Sequence, residues 1–243
     1  RKESSAASDV YKRQGFGFCL AREDTDGGTA IRSHLRQARK IPKSPYHRAM
    51  TDPIPVPHAG GAAAADVLLL HASRFGQSIA IAEALAGRLA EAGLRGELAR
   101  VQDRLNADLS GHRAVIIVAS IRYGHFDPAV QALVARQAAV LRERLGVFVS
   151  VNLTARKPDK QSPETNAYTR KFLAASQQLG WQPALCEVVA GALRYPRYNW
   201  LDKRLIQLIM RMTGGETDTR REVEYTDWEQ VRRLADTVAE RLR

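Results

Sequence analysis

Several short segments of this 243-residue chain combine residue types that suit binding an anion and a flat ring. Ala72–Ser78 (ASRFGQS) is a short loop with two hydroxyls and one glycine, and it opens a helix. Free backbone N–H groups and the helix dipole at such a start attract phosphate. The segment is neither GxGxxG nor GxxxxGK[ST], so it does not indicate a dinucleotide or triphosphate site. An ordinary polar turn has the same composition. Ser120–Phe126 (SIRYGHF) offers an aromatic and a glycine, which let a planar ring lie against the backbone and stack. His125 is the nearby side chain whose ordinary pKa suits proton transfer, though a solvated loop histidine reads the same way. In Asn152–Lys157 (NLTARK) an amide and a hydroxyl can bond the edge of a ring, and the Arg-Lys pair can bind a carboxylate or be solvated. Arg194–Trp200 (RYPRYNW) interleaves arginines with aromatics, which suits an aromatic anion or a membrane interface.

These segments follow elements that can position them. Asp66–His71 is an apolar strand, and Gln77–Ala92 is a helix with Ile81, Leu85 and Leu89 on one face, stopped by Gly93. Gly96–Val101 is a weaker strand and Ala114–Ala119 a strong buried one. Asp127 and Pro128 start a helix with Val130, Leu133, Val134 and Leu141 facing inward. Val147–Val151 is a buried strand, Ser162 and Pro163 begin a helix to about Leu179, and Cys186–Leu193 is another apolar strand. An excursion over 194–220 follows before Glu222–Tyr225 resumes as strand. Thr226 and Glu229 form a capping-box pattern ahead of a last helix with Val231, Leu234 and Val238 inward. Buried strands alternating with helices give a doubly wound α/β fold with a parallel sheet, whose ligands sit at the carboxyl ends of the strands. Within the excursion, Leu201–Met212 is a basic amphipathic helix. Lys203, Arg204, Gln207 and Arg211 lie on one face, Leu201, Leu205, Leu208, Ile209 and Met212 lie opposite, and Asp202 is a misfit. Such a helix lies in a bilayer surface or packs on its own domain or a second subunit.

Composition narrows the classes. Hydrophobic residues at 44% and charged residues at 26% are globular values. No apolar run reaches the roughly 18 residues of a spanning helix. Cys19 and Cys186 are the two cysteines, too few for a disulfide framework or a four-cysteine zinc site, and no metal site is expected. Little cysteine and no secretory hydrophobic region fit a reducing, cytoplasmic setting. The net charge of +11 points to anionic partners. The excess is shared between residues 1–65 and the rest, so the folded part is only moderately basic. Residues 1–65 hold much of the proline and show little periodicity beyond a weak helix at Ile31–Lys40, and we expect them to be disordered. Ser4–Gln14 (SSAASDVYKRQ) resembles a translated sequencing-adaptor fragment; Met50 is the expected start, and residues 1–49 are expected to lie outside the fold.

The first loop resembles the flavodoxin signature, with Leu69, Leu70, Ser73, Gly76 and Ala82 at the expected positions. His71 stands where an aromatic is usual and Ser78 where threonine is usual, and serine keeps the hydroxyl. Ala119–His125 (ASIRYGH), Ser150–Leu153 (SVNL), Ala155–Pro158 (ARKP), Ala190–Tyr198 (AGALRYPRY), Gly214–Arg220 (GGETDTR) and Tyr225–Gln230 (YTDWEQ) are similar to the menaquinone-dependent protoporphyrinogen IX dehydrogenases, over about Val67–Arg243. The resemblance implies a flavodoxin-like domain over 66–243. Its doubly wound five-stranded parallel sheet would run 2-1-3-4-5, with helices on both faces and an insertion at about 194–220 splitting the last strand. It also implies non-covalent FMN and oxidation of protoporphyrinogen IX to protoporphyrin IX in haem synthesis. The electron acceptor would be a membrane quinone, menaquinone or ubiquinone. On that reading Ser73, Arg74, Phe75, Gly76, Gln77 and Ser78 hold the FMN phosphate. Ser120, Ile121, Arg122, Tyr123, Gly124 and His125, with Asn152, Leu153 and Thr154, frame the ring system, Tyr123 stacking on it. Arg122, Arg156, Arg194 and Arg197 are the cations expected to meet the substrate's two propionates, because a guanidinium fork pairs a carboxylate bidentately. The protein would be cytoplasmic and peripheral on the inner face of the cell membrane, docking through Leu201–Met212. No nucleic-acid partner is expected, and homo-oligomerisation stays open.

Overall fold

The computed structural model describes residues 65–243. The expectations for residues 1–64, including the helix at 31–40 and the start at Met50, lie outside them. The strands form where short apolar runs occur: β1 (Val67–Ala72), β2 (Gly96–Arg100), β3 (Ala114–Ser120), β4 (Leu145–Asn152) and β5 (Leu185–Ala190). They build one parallel sheet in the order β2-β1-β3-β4-β5. The helices that cover it are α1 (Gln77–Glu91), α2 (Pro128–Glu143), α3 (Ala167–Gln178) and α5 (Trp228–Arg241). The excursion after β5 contributes β6 (Ala192–Arg194), α4 (Trp200–Met212) and β7 (Glu222–Glu224).

The two-residue period of the strands divides the core. Val67 and Leu69 of β1, Ile116 and Val118 of β3, and Val147 and Val149 of β4 meet Ile81, Leu85 and Leu89 of α1 and Val231, Leu234 and Val238 of α5. The intervening Leu68, Leu70, Val115, Ile117 and Phe148 meet Val130, Leu133, Val134 and Leu141 of α2, together with Phe172 and Trp181. Both sheet faces are apolar because both are covered. Burying one such leucine contributes about 1.5–3 kcal/mol.

Element ends differ from expectation where a side chain has a better partner. The helix expected from Ser162 begins at Ala167. Ser162 closes its own turn by accepting from Thr165 N (3.3 Å), while Asn166 Oδ1 accepts from Thr169 N (3.3 Å) and caps the helix. Asp227, not Thr226, caps α5: its Oδ1 accepts from the N–H groups of Glu229 (2.9 Å) and Gln230 (3.3 Å). Thr226 is drawn away, donating to Ala190 O (2.7 Å) and accepting from Gln77 Nε2 (2.9 Å). The run Cys186–Leu193 is two strands, because β4 pairs only as far as Asn152, opposite Ala190. Beyond Gly191 the chain changes partner, and β6 pairs antiparallel with β7 in a separate two-stranded ribbon. The excursion thus leaves and returns through this ribbon.

Candidate functional site

The carboxyl ends of β1, β3 and β4 release the loops that the sequence singled out, and all lie on one side of the sheet with the excursion. The β1 loop turns at Gly76, whose φ of 92° lies where a side chain is strained, so glycine makes the entry into α1 possible. Ser73 Oγ accepts from Gly76 N at 3.1 Å, which closes the loop. The first turn of α1 holds no acidic residue. Ser78 in that turn is fully buried, and its hydroxyl has no hydrogen-bond partner among the described residues. An acid-free helix start with an unpartnered buried hydroxyl fits a phosphate group. Gln77 is spoken for: Nε2 donates to Glu224 Oε1 (2.9 Å) and Thr226, and Oε1 accepts from Arg194 (2.8 Å).

The β3 loop is a tight hairpin. Arg122 N donates to His125 O (2.8 Å) and His125 N to Arg122 O (3.0 Å), with Tyr123 (φ 49°) and Gly124 (φ 80°) left-handed between them. Two central residues at positive φ make this a type I′ turn. Ser120 Oγ donates to Ala72 O (3.3 Å) and Ile121 N to Val151 O (3.0 Å), which ties this loop to its neighbours. Tyr123 is half-buried and His125 exposed.

The β4 loop is organised by Asn152. Its Oδ1 accepts from Thr154 Oγ1 (2.6 Å), Ala155 N (3.0 Å) and Asn166 Nδ2 (3.2 Å), and its Nδ2 donates to Ser150 Oγ (3.1 Å). The amide expected at a ring edge is therefore already occupied in shaping the loop. Leu153 and Thr154 stay half-buried at its tip.

The four arginines expected at a substrate do different jobs. Arg194 is only 5% exposed and donates to Gln77 Oε1 and Glu222 Oε2 (3.4 Å). Arg122 donates to Asp202 Oδ2 of α4 (2.7 Å). Arg156 donates to Leu153 O (2.9 Å) and to Thr213 O (3.1 Å) and Oγ1 (2.6 Å) at the end of α4. Burial pushes its guanidinium below the usual arginine range. Arg197 pairs with Glu222 (3.2 Å) but keeps much of its surface. Together with Arg74, Phe75, Gly76, Asn199 and Asp202 it lines an open cavity of about 400 Å³ beside the β1 loop.

Sequence reasoning missed Asp202, Asn166 and Gln77 as organisers. On α4 Asp202 and Met210 are buried and Ile206 packs inward, whereas Leu201, Leu208 and Met212 of the apolar face are exposed, with Trp200 beside them. The helix packs on a cluster of Leu193, Tyr195, Tyr198 and Met210, and Asp202 follows its ion-pair partner inward. Asn199 followed three residues later by Asp202 is a helix-start pattern that could have flagged it.

A doubly wound sheet in this order, with an anion-ready helix start at β1, defines a flavodoxin-like protein, and the flavodoxin domain family model matches residues 68–220. The protoporphyrinogen IX dehydrogenase [quinone] of Escherichia coli (strain K12) is 50% identical over 172 residues, covering 71% of this chain and 93% of that protein. The protein of the same name from Leishmania major is 45% identical over 173 residues, covering 71% of this chain and 74% of its own. Oxidised Flavodoxin 2 from Bacillus cereus has a solved structure that is 14% identical, covers 73% of this chain and 99% of its own, and gives a TM-score of 0.45. The chain belongs to the protoporphyrinogen IX dehydrogenase family of flavodoxin-domain oxidoreductases.

Proposed function

We propose that the chain binds FMN and oxidises protoporphyrinogen IX to protoporphyrin IX in haem synthesis, with menaquinone or ubiquinone as electron acceptor. The observation that carries this is the unpartnered Ser78 hydroxyl in an acid-free helix start, beside a cavity walled by two arginines. Bound flavin supplies the two-electron redox chemistry. The backbone N–H groups of Ser73–Ser78 and the Ser78 hydroxyl hold the phosphate. Tyr123, Leu153 and Thr154 border the ring system, held by the hairpin at 122–125 and by the Asn152 network. Arg197 and Arg74 bind a propionate in the cavity, while Arg122, Arg156 and Arg194 tie the excursion to the loops.

No helix among the described residues is long and apolar enough to cross a membrane. Trp200 and Leu201 are each 70% exposed and Met212 68%, with Arg204 and Arg211 exposed on the same helix. That mixture suits peripheral contact with an anionic bilayer surface, where quinone and porphyrinogen partition. Co-sedimentation with anionic vesicles that survives Trp200→Ser with Leu201→Ser removes this part of the reading.

The test of the activity is anaerobic turnover of the full chain, followed by porphyrin fluorescence. Porphyrin should form only when FMN and a quinone are both present. Flavin bound without porphyrin formed leaves a flavoprotein with another role, an electron carrier or an NAD(P)H:quinone reductase.

A further inference from the structure

One residue of α4 breaks its amphipathic pattern and yet is among the most buried. Asp202 is 3% exposed, and its Oδ2 accepts from Arg122 Nη2 at 2.7 Å. Its backbone N–H is capped by Asn199 Oδ1 (2.8 Å), so the carboxylate sits in the first turn, where the helix dipole favours negative charge. The guanidinium it holds also donates to Tyr123 OH (3.0 Å), lies 4.6 Å from the centre of the Tyr123 ring and reaches 5.9 Å from that of Phe75. Among the described residues Tyr123 is the one non-glycine with positive φ. Such a conformation persists only where the surroundings over-determine it. Here Arg122 covers the ring, and the same Nη2 that donates to Tyr123 OH donates to Asp202.

We propose that Asp202 is a positioning residue: through Arg122 it fixes the Tyr123 ring at the cofactor site. This rests on the reading that flavin lies between the β3 and β4 loops. The Arg122 side chain is 27% exposed, so without its carboxylate it can swing into water and leave the ring uncovered. The middle of α4 supplies an internal control. Gln207 Nε2 donates to Thr217 O (2.9 Å), a contact that holds the helix within the excursion and ends on no cofactor loop.

The experiment uses the full chain loaded with FMN and reads the emission of the bound flavin, which a stacked tyrosine quenches. Asp202→Ala should raise that emission several-fold while FMN still binds, and Asp202→Glu, which keeps the charge, should recover part of the quenching. Arg122→Met should reproduce the effect, and the double variant should add nothing, as expected for two residues acting as one unit. Gln207→Leu should leave emission at the wild-type level. If Asp202→Ala lowers the melting temperature but leaves emission unchanged, or if Gln207→Leu raises it equally, Asp202 is only a structural contact. Arg122→Met carries the test should Asp202→Ala not fold. A wild-type chain that takes up no FMN overturns the flavin reading itself, which is distinct from FMN bound with unaltered emission.

Discussion

The sheet and the excursion are held together in different ways. At the centre of the sheet Val67–Leu70, Val115–Val118 and Val147–Val149 are fully buried, and apolar area does the stabilising. The excursion has a small cluster around Leu193, Tyr195, Tyr198 and Met210, and is otherwise fixed by specific polar ties. Arg194 reaches Gln77 at the β1 loop, Asp202 takes Arg122 from the β3 loop, and Thr213 takes Arg156 from the β4 loop. Each tie ends on a loop assigned to the cofactor. On the proposed flavin reading the excursion is part of the site, although the sheet does not need it for its core.

The largest contrast should come from Leu69→Ala in β1. A fully buried leucine at the sheet centre costs about 2–5 kcal/mol when truncated, and chemical denaturation should show the whole domain losing that stability. Arg194→Met should cost less, about 1–3 kcal/mol, by leaving the Gln77 carbonyl without its donor. Its effect should fall on the ribbon and on FMN affinity, with little change in the protection of β3 and β4 against hydrogen exchange. A uniform loss of protection would erase the distinction between the regions. Asp227→Ala should cost about 1 kcal/mol by uncapping α5. Thr226→Ala should leave that helix start protected and loosen the Gln77 contact instead.

The smallest effect is in alkali. Burial pushes the Tyr195 hydroxyl up to about 12, and raises Tyr198 and Tyr225 as well, all in or beside the excursion. In the unfolded chain these groups ionise near 10. Their protonated forms are favoured on folding, so this stability is whole below pH ~10 and is lost as pH rises towards ~12. Ultraviolet titration should show the excursion tyrosines ionising late and together with its loosening.

Much of the sheet was legible because apolar runs of the right length, bounded by glycine, proline and caps, define strands and helices locally. The inward faces of α1, α2 and α5 came out as read. The loops were legible as loops, since strand ends and helix starts locate them. What was not legible depends on partners distant in sequence. Thr226 looks like a cap until Gln77 claims its hydroxyl, and Asp202 looks misplaced until Arg122 is seen to meet it. The wheel of α4 separates apolar from basic residues, but which of them turn inward depends on distant partners: Asp202 follows Arg122 and Met210 joins Leu193, Tyr195 and Tyr198, while Leu201, Leu208 and Met212 stay exposed.

The claim that the excursion belongs to the flavin site is tested most directly by hydrogen exchange of the full chain with and without FMN. The account predicts that FMN increases protection not only in the loops at 73–78, 120–126 and 152–156 but also in β6, β7 and the first turn of α4. Added protection confined to the loops, with the excursion unchanged, would contradict it.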